Sequence, residues 1–380
     1  MSAFRKRREL AVKILAAVML ATCSVVAGTL SRASAAERPS YYPSDYDKIV
    51  EASKKEDGLL IYSIMAEYNW RPVIEGFNKL YPWIRVSTLD LNSNEVFTRY
   101  YAERSSGART TDLIITASVD GWLEFLDKGN AIDYASAESD KLPAWSRPRP
   151  GFYTVSTDPM VMVYNKLVVP EDKRPKGIAH LAKLVQEHPK DFRNALTTYH
   201  GALSSFGQAI DLVFLRRHGE KGWAWFDVLG PQTRPEQSSG PMLAKLASGE
   251  YKVGYFISGI VFFPKLKDPA NAKIMGWNFI EDGTPLFMRM MAIPKGAASI
   301  NSAKLMLDYI LSHDGQAAFG RGGLTPYRED VKKDDVAYYT YGSIKEEVGE
   351  KNILLIDYNP DLIKNLDKFI ERWKQAYRQK

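Results

Sequence analysis

Cysteine is almost missing: the 380-residue chain holds one, Cys23. It falls inside the amino-terminal leader described below, so the remainder of the protein offers no thiol nucleophile, no cysteine metal site and no disulfide. Histidine is scarce as well, with five residues at positions 180, 188, 200, 218 and 313. None of them has the HExxH or another metal-ligand spacing. No Walker-type glycine loop occurs, since Gly320–Gly323 runs into Leu324-Thr325-Pro326 and reads as a turn. Internal repeats and low-complexity tracts are absent too. These gaps argue against thiol enzymes, zinc enzymes and P-loop enzymes, and the expectation is a protein with no cofactor and no resident metal.

The formal charge of +6 matters less than where it sits. Arg5, Lys6, Arg7 and Arg8 precede an apolar run from Ile14 to Leu30, and Ala33-Ser34-Ala35 has the small-x-small form of a cleavage site. Residues 1–35 therefore read as a secretory signal peptide, which sends the mature chain to an oxidising compartment. That segment carries six Lys or Arg and one Glu, leaving +1 on the rest. The basic balance belongs to targeting, and binding to nucleic acid is not expected. Two variants of the leader stay open: Arg7-Arg8 with Leu10 and Lys13 resembles a twin-arginine signal, and Leu20-Ala21-Thr22-Cys23 a lipoprotein box that would anchor the chain through Cys23. An uncleaved anchor is the plain alternative, and no other stretch is apolar enough to span a bilayer.

With 45% hydrophobic and 12% aromatic residues, the mature chain can bury a large core, and its length suits two domains. Gly58–Val86 reads as strand, loop, helix and strand. Leu59-Leu60-Ile61 is apolar, a helix with Asn69 as N-cap and Pro72 in its first turn follows, Pro82 stops it, and Ile84 and Val86 open the next strand. This is the βαβ unit of a parallel α/β sheet. Asn92 and Glu95 have capping-box spacing, Gly107 ends that helix, and Asp112–Thr116 reads as a buried strand. Prolines at 143, 148, 150 and 159 predict no regular element over 141–159. A strand is expected at Met160–Tyr164, then a second α/β run, an apolar run at Phe287–Pro294 that returns to the first domain, and a charged tail ending in a helix around 362–373.

Leu60-Ile61-Tyr62-Ser63, Phe77-Asn78-Lys79-Leu80-Tyr81-Pro82, Asn92-Ser93-Asn94-Glu95, Ala102-Glu103-Arg104 with Asp112-Leu113-Ile114, Met162-Val163-Tyr164-Asn165, Ala247-Ser248-Gly249-Glu250 and Ala292-Ile293-Pro294-Lys295-Gly296-Ala297 follow one another in a familiar order. In that order the chain resembles the extracellular solute-binding proteins of ABC importers, in the ferric-iron-binding-like group. The resemblance implies the type II periplasmic-binding-protein fold: two Rossmann-like α/β lobes joined by hinge strands, here residues 37–160 with 287–325 and residues 161–286 with 326–380. It also implies a small-molecule ligand between the lobes, a hinge motion on binding, an inner-membrane permease with its ATPase as partner, and a monomer. The iron-binding members carry adjacent tyrosines a few residues after Gly-Glu. Here that place holds Gly259-Ile260, so ferric iron is not the expected ligand, and iron or an iron chelate stands as the alternative. Of the pairs Tyr41-Tyr42, Tyr100-Tyr101 and Tyr338-Tyr339, none falls on a strand-end loop, and Tyr100-Tyr101 reads as packing on one helix.

Hydroxyl-bearing loops recur at strand ends just before helices, a place where open α/β sheets bind ligands and where free N–H groups favour anions. The candidate ligand-binding residues are Tyr62, Ser63, Ser93, Ser118, Tyr199, His200, Gly201, Ser238, Ser239, Gly240, Tyr255 and Ser258. Each has a plain structural reading beside it: Ser and Tyr at a strand end often only cap, and a loop His often makes structural bonds alone. The set favours an organic anion, a carboxylate, phosphonate or phosphate ester. A hydrolase built on Ser204, His200 and Asp211 is the alternative of another class, but Gly201-Ala202-Leu203-Ser204-Ser205 is no G-x-S-x-G elbow; the protein is not expected to be an enzyme.

Overall fold

Short apolar runs and apolar residues at period 3.6 produce strands and helices in turn along most of the described residues. A computed structural model describes residues 39–379. The expected signal segment, with Cys23, lies outside the described residues. Nine strands form: β1 Leu59–Ser63, β2 Val86–Asp90, β3 Leu113–Thr116, β4 Tyr153–Asn165, β5 Leu196–Thr197, β6 Val253–Ser258, β7 Met275–Phe279, β8 Thr284–Ala292 and β9 Ile353–Ile356. The helices of the first half are α1 Tyr46–Ser53, α2 Glu67–Leu80, α3 Ser93–Ser106 and α4 Val119–Asp127. Between β4 and β7 come α5 Ile178–Glu187, α6 Ser205–His218, α7 Glu220–Leu229, α8 Ser239–Ser248 and the short α9 Gly259–Phe262 and α10 Pro269–Ile274. After β8 follow α11 Ile300–Leu311, α12 His313–Arg321, α13 Tyr341–Val348 and α14 Leu366–Tyr377. None of the described helices is long and apolar enough to cross a membrane.

The strand order is β2-β1-β3-β8-β4-β6-β5, with β7 added to β4 and β9 to β8. β1 runs parallel to β2 and β3, as the βαβ reading of Gly58–Val86 requires. β8 is antiparallel to both β3 and β4. The key element is β4. Tyr153–Pro159 pairs with β8, and from Met160 onward the same strand pairs with β6 and β7, so one strand belongs to both halves of the sheet. The apolar packing forms two cores, one largely within the first half and one that runs from Phe97, Ile114 and Trp122 of the first half into the second. Leu59, Ile61, Trp70, Phe77, Ile115 and Leu305 belong to one core, and Val161, Val163, Phe214, Phe226, Leu246 and Trp373 to another.

Two sequence expectations need correction. β4 starts at Tyr153, inside the stretch where prolines argued against any regular element. Pro159 is tolerated because it stands at the handover: its partner is Leu286 in β8, while Met160 already faces Ser258 in β6. The helix after β1 begins at Glu67, not after Asn69, because the Asn69 side chain caps backwards, its Oδ1 accepting from the Ala66 N–H at 3.1 Å. Pro72 therefore lies within the helix body and not in its first turn. β9, a four-residue ILLI run, was not separable from the charged tail by pattern. Tyr327 and Arg328 bond back to the first half, through the Thr154 carbonyl and the Glu138 carboxylate.

Candidate functional site

The carboxyl ends of β1, β2, β5 and β6, with the middle of β4 and β8, surround a cavity of about 630 Å³. From the first half come Ile64 and Asn92-Ser93-Asn94 at the start of α3. From the second come Tyr199, the Leu203–Phe206 turn that opens α6, Gln237–Gly240 at the start of α8, and Ser258 and Val261. Asp158 of β4 and Arg289 of β8 belong to the strands that join the two halves. Position at strand ends follows the rule for open α/β sheets, and volume fits a small organic molecule.

Three helices of two turns or more start at this wall. Asn92 caps α3 by accepting from Glu95 N at 2.9 Å, and Ser204 caps α6 by accepting from Gly207 N at 3.2 Å. Ser238 at α8 makes no capping bond with its side chain, so the first-turn N–H groups there lack a side-chain cap. A chain of hydroxyl bonds lines the second half: Tyr199 Oη and Ser239 Oγ lie 2.6 Å apart, Ser258 N donates to Ser239 Oγ at 3.2 Å, and Ser258 Oγ donates to Asp158 Oδ2 at 2.7 Å. Burial pushes the Tyr199 phenol well up, so it stays a neutral hydroxyl. Phe206 lies flat on Phe287 at 4.4 Å and offers an apolar face among these polar groups. Across the cavity Ser205 Oγ donates to Asn94 Oδ1 at 3.0 Å, joining α6 to α3.

Asp158 is 1% exposed and Arg289 5%. Burial raises the Asp158 carboxyl above the usual range, while Arg289, Ser258 and two backbone N–H groups pull it back. Arg289 is the unusual member. Its Nη2 is 3.6 Å from Asp158 Oδ2, too far for a good hydrogen bond, and its Nε and Nη1 are buried with no partner among the described residues.

Of the candidate residues, Ser93, Tyr199, Ser238, Ser239, Gly240 and Ser258 line the cavity. The others do not. Tyr62 and Ser63 close β1 facing inward: the Tyr62 hydroxyl donates to Glu103 at 2.7 Å, and Ser63 Oγ accepts from Trp70 Nε1 at 3.0 Å. Ser118 is the N-cap of α4 and bonds Asp120 and Gly121. His200 lies against Trp373 at 4.8 Å, its Nδ1 accepting from Ala202 N, and burial lowers its pKa. Gly201 is small for packing, since a Cβ there would collide with Trp373 and Asp211. Tyr255 is buried, its hydroxyl 3.0 Å from that of Tyr377. The hydrolase grouping does not assemble: Ser204 Oγ caps α6, and Asp211 accepts from Trp373 Nε1 at 2.9 Å and not from His200. Tyr100 and Tyr101 pack on α3, their rings 5.3 Å apart.

Sequence reasoning missed Asp158, Arg289, Asn92, Asn94, Ser205, Phe206 and Gln237. For Arg289 a signal existed. It is the lone charge in Phe287-Met288-Arg289-Met290-Met291, a run otherwise suited to a buried strand.

No protein-family model matches the sequence, and no curated protein matches it. Solved structures do match in fold. The substrate-binding protein of an ABC transporter from Agrobacterium tumefaciens is 24% identical, with 86% of this chain and 96% of that one aligned at a TM-score of 0.74. Apo ferric ion-binding protein A of Pasteurella haemolytica is 17% identical over 85% and 99% of the two chains, TM-score 0.66. The periplasmic binding protein AfuA of Actinobacillus pleuropneumoniae, solved with fructose-6-phosphate, is 18% identical over 84% and 98%, TM-score 0.65. The chain therefore has the two-lobe fold of periplasmic binding proteins, as its motif order implied.

Proposed function

We propose that this protein is the solute-binding component of an ABC importer, capturing a small organic anion between two lobes and delivering it to an inner-membrane permease with its ATPase. The observation that carries the reading is the place of the cavity. It sits where β4 and β8 pass from one half to the other, and its wall draws on both halves. A ligand there touches both lobes only when they approach, which couples binding to a hinge motion. β4 changes partners at Met160, which supports a lobe boundary at 160/161. The leader supports a periplasmic location.

Three helix N-termini and one buried guanidinium favour an anion over a cation or a neutral sugar. Direct ferric-iron binding suits this wall poorly. Among the described residues it carries one phenol, Tyr199, bonded to Ser239, and one carboxylate, Asp158. The test is native mass spectrometry of protein purified from the periplasm, alongside titration with ferric iron. An organic anion bound at one per chain supports the reading; tight iron binding with a phenolate charge-transfer band would replace it with the iron alternative.

A further inference from the structure

Most buried guanidinium groups are held by a carboxylate fork or by carbonyls, because a planar cation with five N–H donors is costly to strip of water. Arg289 is buried to 5% exposure in the wall of the cavity and donates no hydrogen bond to any described residue. Its one charged neighbour in that wall, Asp158, is otherwise engaged. Oδ2 accepts from Ser258 at 2.7 Å and Oδ1 from Ile260 N at 3.3 Å, and Nη2 of Arg289 stays 3.6 Å away. The pair thus provides counter-charge without saturating the donors. Asp90 and Tyr68 also feel the charge of Arg289. Neither bonds it.

We propose that Arg289 is the anchor for the ligand's oxyanion. Resting on the reading of this cavity as a solute site, the inference fixes both orientation and class. The ligand is a small organic acid or phosphate ester whose carboxylate or phosphoryl group lies on β4 and β8 against the guanidinium. Its hydroxyl-bearing body extends toward Asn92, Asn94, Ser204, Gln237 and the open end of α8, with an apolar face on Phe206. An oxyanion is the partner that no described residue supplies to this guanidinium, and charge-assisted bonds of this kind are the strong ones. Asp158 is a positioning residue: it holds Arg289 by charge and, being negative itself, weakens the hold on an incoming anion.

The experiment is a thermal-shift panel of organic carboxylates, phosphate esters, neutral sugars and amines, including D-gluconate, D-glucose 6-phosphate and D-glucose, on the full mature protein. The tightest binder then goes to calorimetry with Arg289→Met, Arg289→Lys and Asp158→Asn. The expected binder is an anion, and the gluconate and glucose 6-phosphate arms tell a carboxylate from a phosphoryl ligand. Arg289→Met should lose affinity on the order of 100-fold, Arg289→Lys should lie between it and the parent, and Asp158→Asn should bind more tightly. Free Arg289→Met should melt well above free Arg328→Met, because it takes from Asp158 a counter-charge 3.6 Å away but no hydrogen bond, and also removes unsatisfied donors; a residue kept only for structure would cost as much as Arg328. An anion that binds Arg289→Met as well as the parent, or a best binder that is neutral or cationic, overturns the anchor while the solute-binding reading stands. A parent protein that responds to nothing in the panel overturns that reading itself.

Discussion

Two arginines of this protein are buried to nearly the same degree, Arg328 at 4% and Arg289 at 5% exposure, and their surroundings differ completely. Arg328 uses its whole fork. Nε and Nη2 donate to the Asp330 carboxylate at 2.8 and 2.6 Å, and Nη1 donates to Glu138 at 2.7 Å and to the Leu311 carbonyl at 3.0 Å. It pulls the Asp330 carboxyl below its ordinary range and sits away from the cavity wall that holds Arg289. Arg289 donates to nothing described. A fold that can saturate one buried guanidinium so fully, and leaves another open beside a cavity, separates a residue that holds the structure from one that waits for a ligand.

The comparison is most easily broken by stability. Arg328→Met removes the guanidinium 2.7 Å from the Glu138 carboxylate, which is 0% exposed, and should cost roughly 3–5 kcal/mol. Denaturant unfolding at unchanged slope is the measure. Arg289→Met takes from Asp158 a counter-charge 3.6 Å away but no hydrogen bond, and should cost clearly less by the same assay. Equal losses at both sites would erase the distinction.

A second prediction sharpens the saturated side. Glu138 N donates to Ser136 Oγ, which donates to Asp308 at 2.6 Å, and Tyr46 and Tyr134 donate to the same carboxylate at 2.8 and 2.7 Å. Among the described residues Asp308 has three hydroxyl donors but no cation, and burial pushes its pKa up to about 6. A carboxyl raised in the folded state binds its proton more tightly there than in the unfolded chain. Its contribution is therefore full below the unfolded value near 4 and is lost as pH rises toward 6. The loss is about 3 kcal/mol. Asp308→Asn, which cannot titrate, should remove that part of the pH dependence between pH 4 and 7. An unchanged profile in the variant would mean that other acids carry it.

How far the sequence reached follows the same division between saturated and open groups. The first βαβ unit and the capped helix at Asn92 were legible because local pattern and caps decide them. Ser93, Tyr199, Ser238, Ser239, Gly240 and Ser258 were legible as strand-end residues, since topology puts strand ends at the cavity. Tyr62, Ser63 and Ser118 share the pattern yet turn inward, to Glu103, Trp70 and Asp120. Nothing in a linear pattern says which hydroxyl finds an internal partner. Asp158 was hidden by Pro159, which argued against the very strand that carries it, and Arg289, though the lone charge of an apolar run, had no partner that the pattern could name. Both lie mid-strand on elements shared by the two halves, where side chains meet through long-range pairing, Asp158 opposite Phe287 and Ser156 opposite Arg289.

The smallest expected effect concerns the cavity's own closure. The Ser205–Asn94 bond, 3.0 Å long, joins the start of α6 to the start of α3, two elements on opposite sides of the cavity. In a hinge-bending binder such a bond forms only when the lobes approach, so it adds to affinity by favouring the closed state. A neutral hydrogen bond at a half-open site contributes about 1 kcal/mol, or roughly fivefold in affinity. Asn94→Ala and Ser205→Ala should each weaken binding by about that factor, and the double variant by no more than either alone, because both remove one bond. Losses that multiply would place both side chains on the ligand itself and would mean that the open donors of this cavity extend beyond Arg289 to its rim.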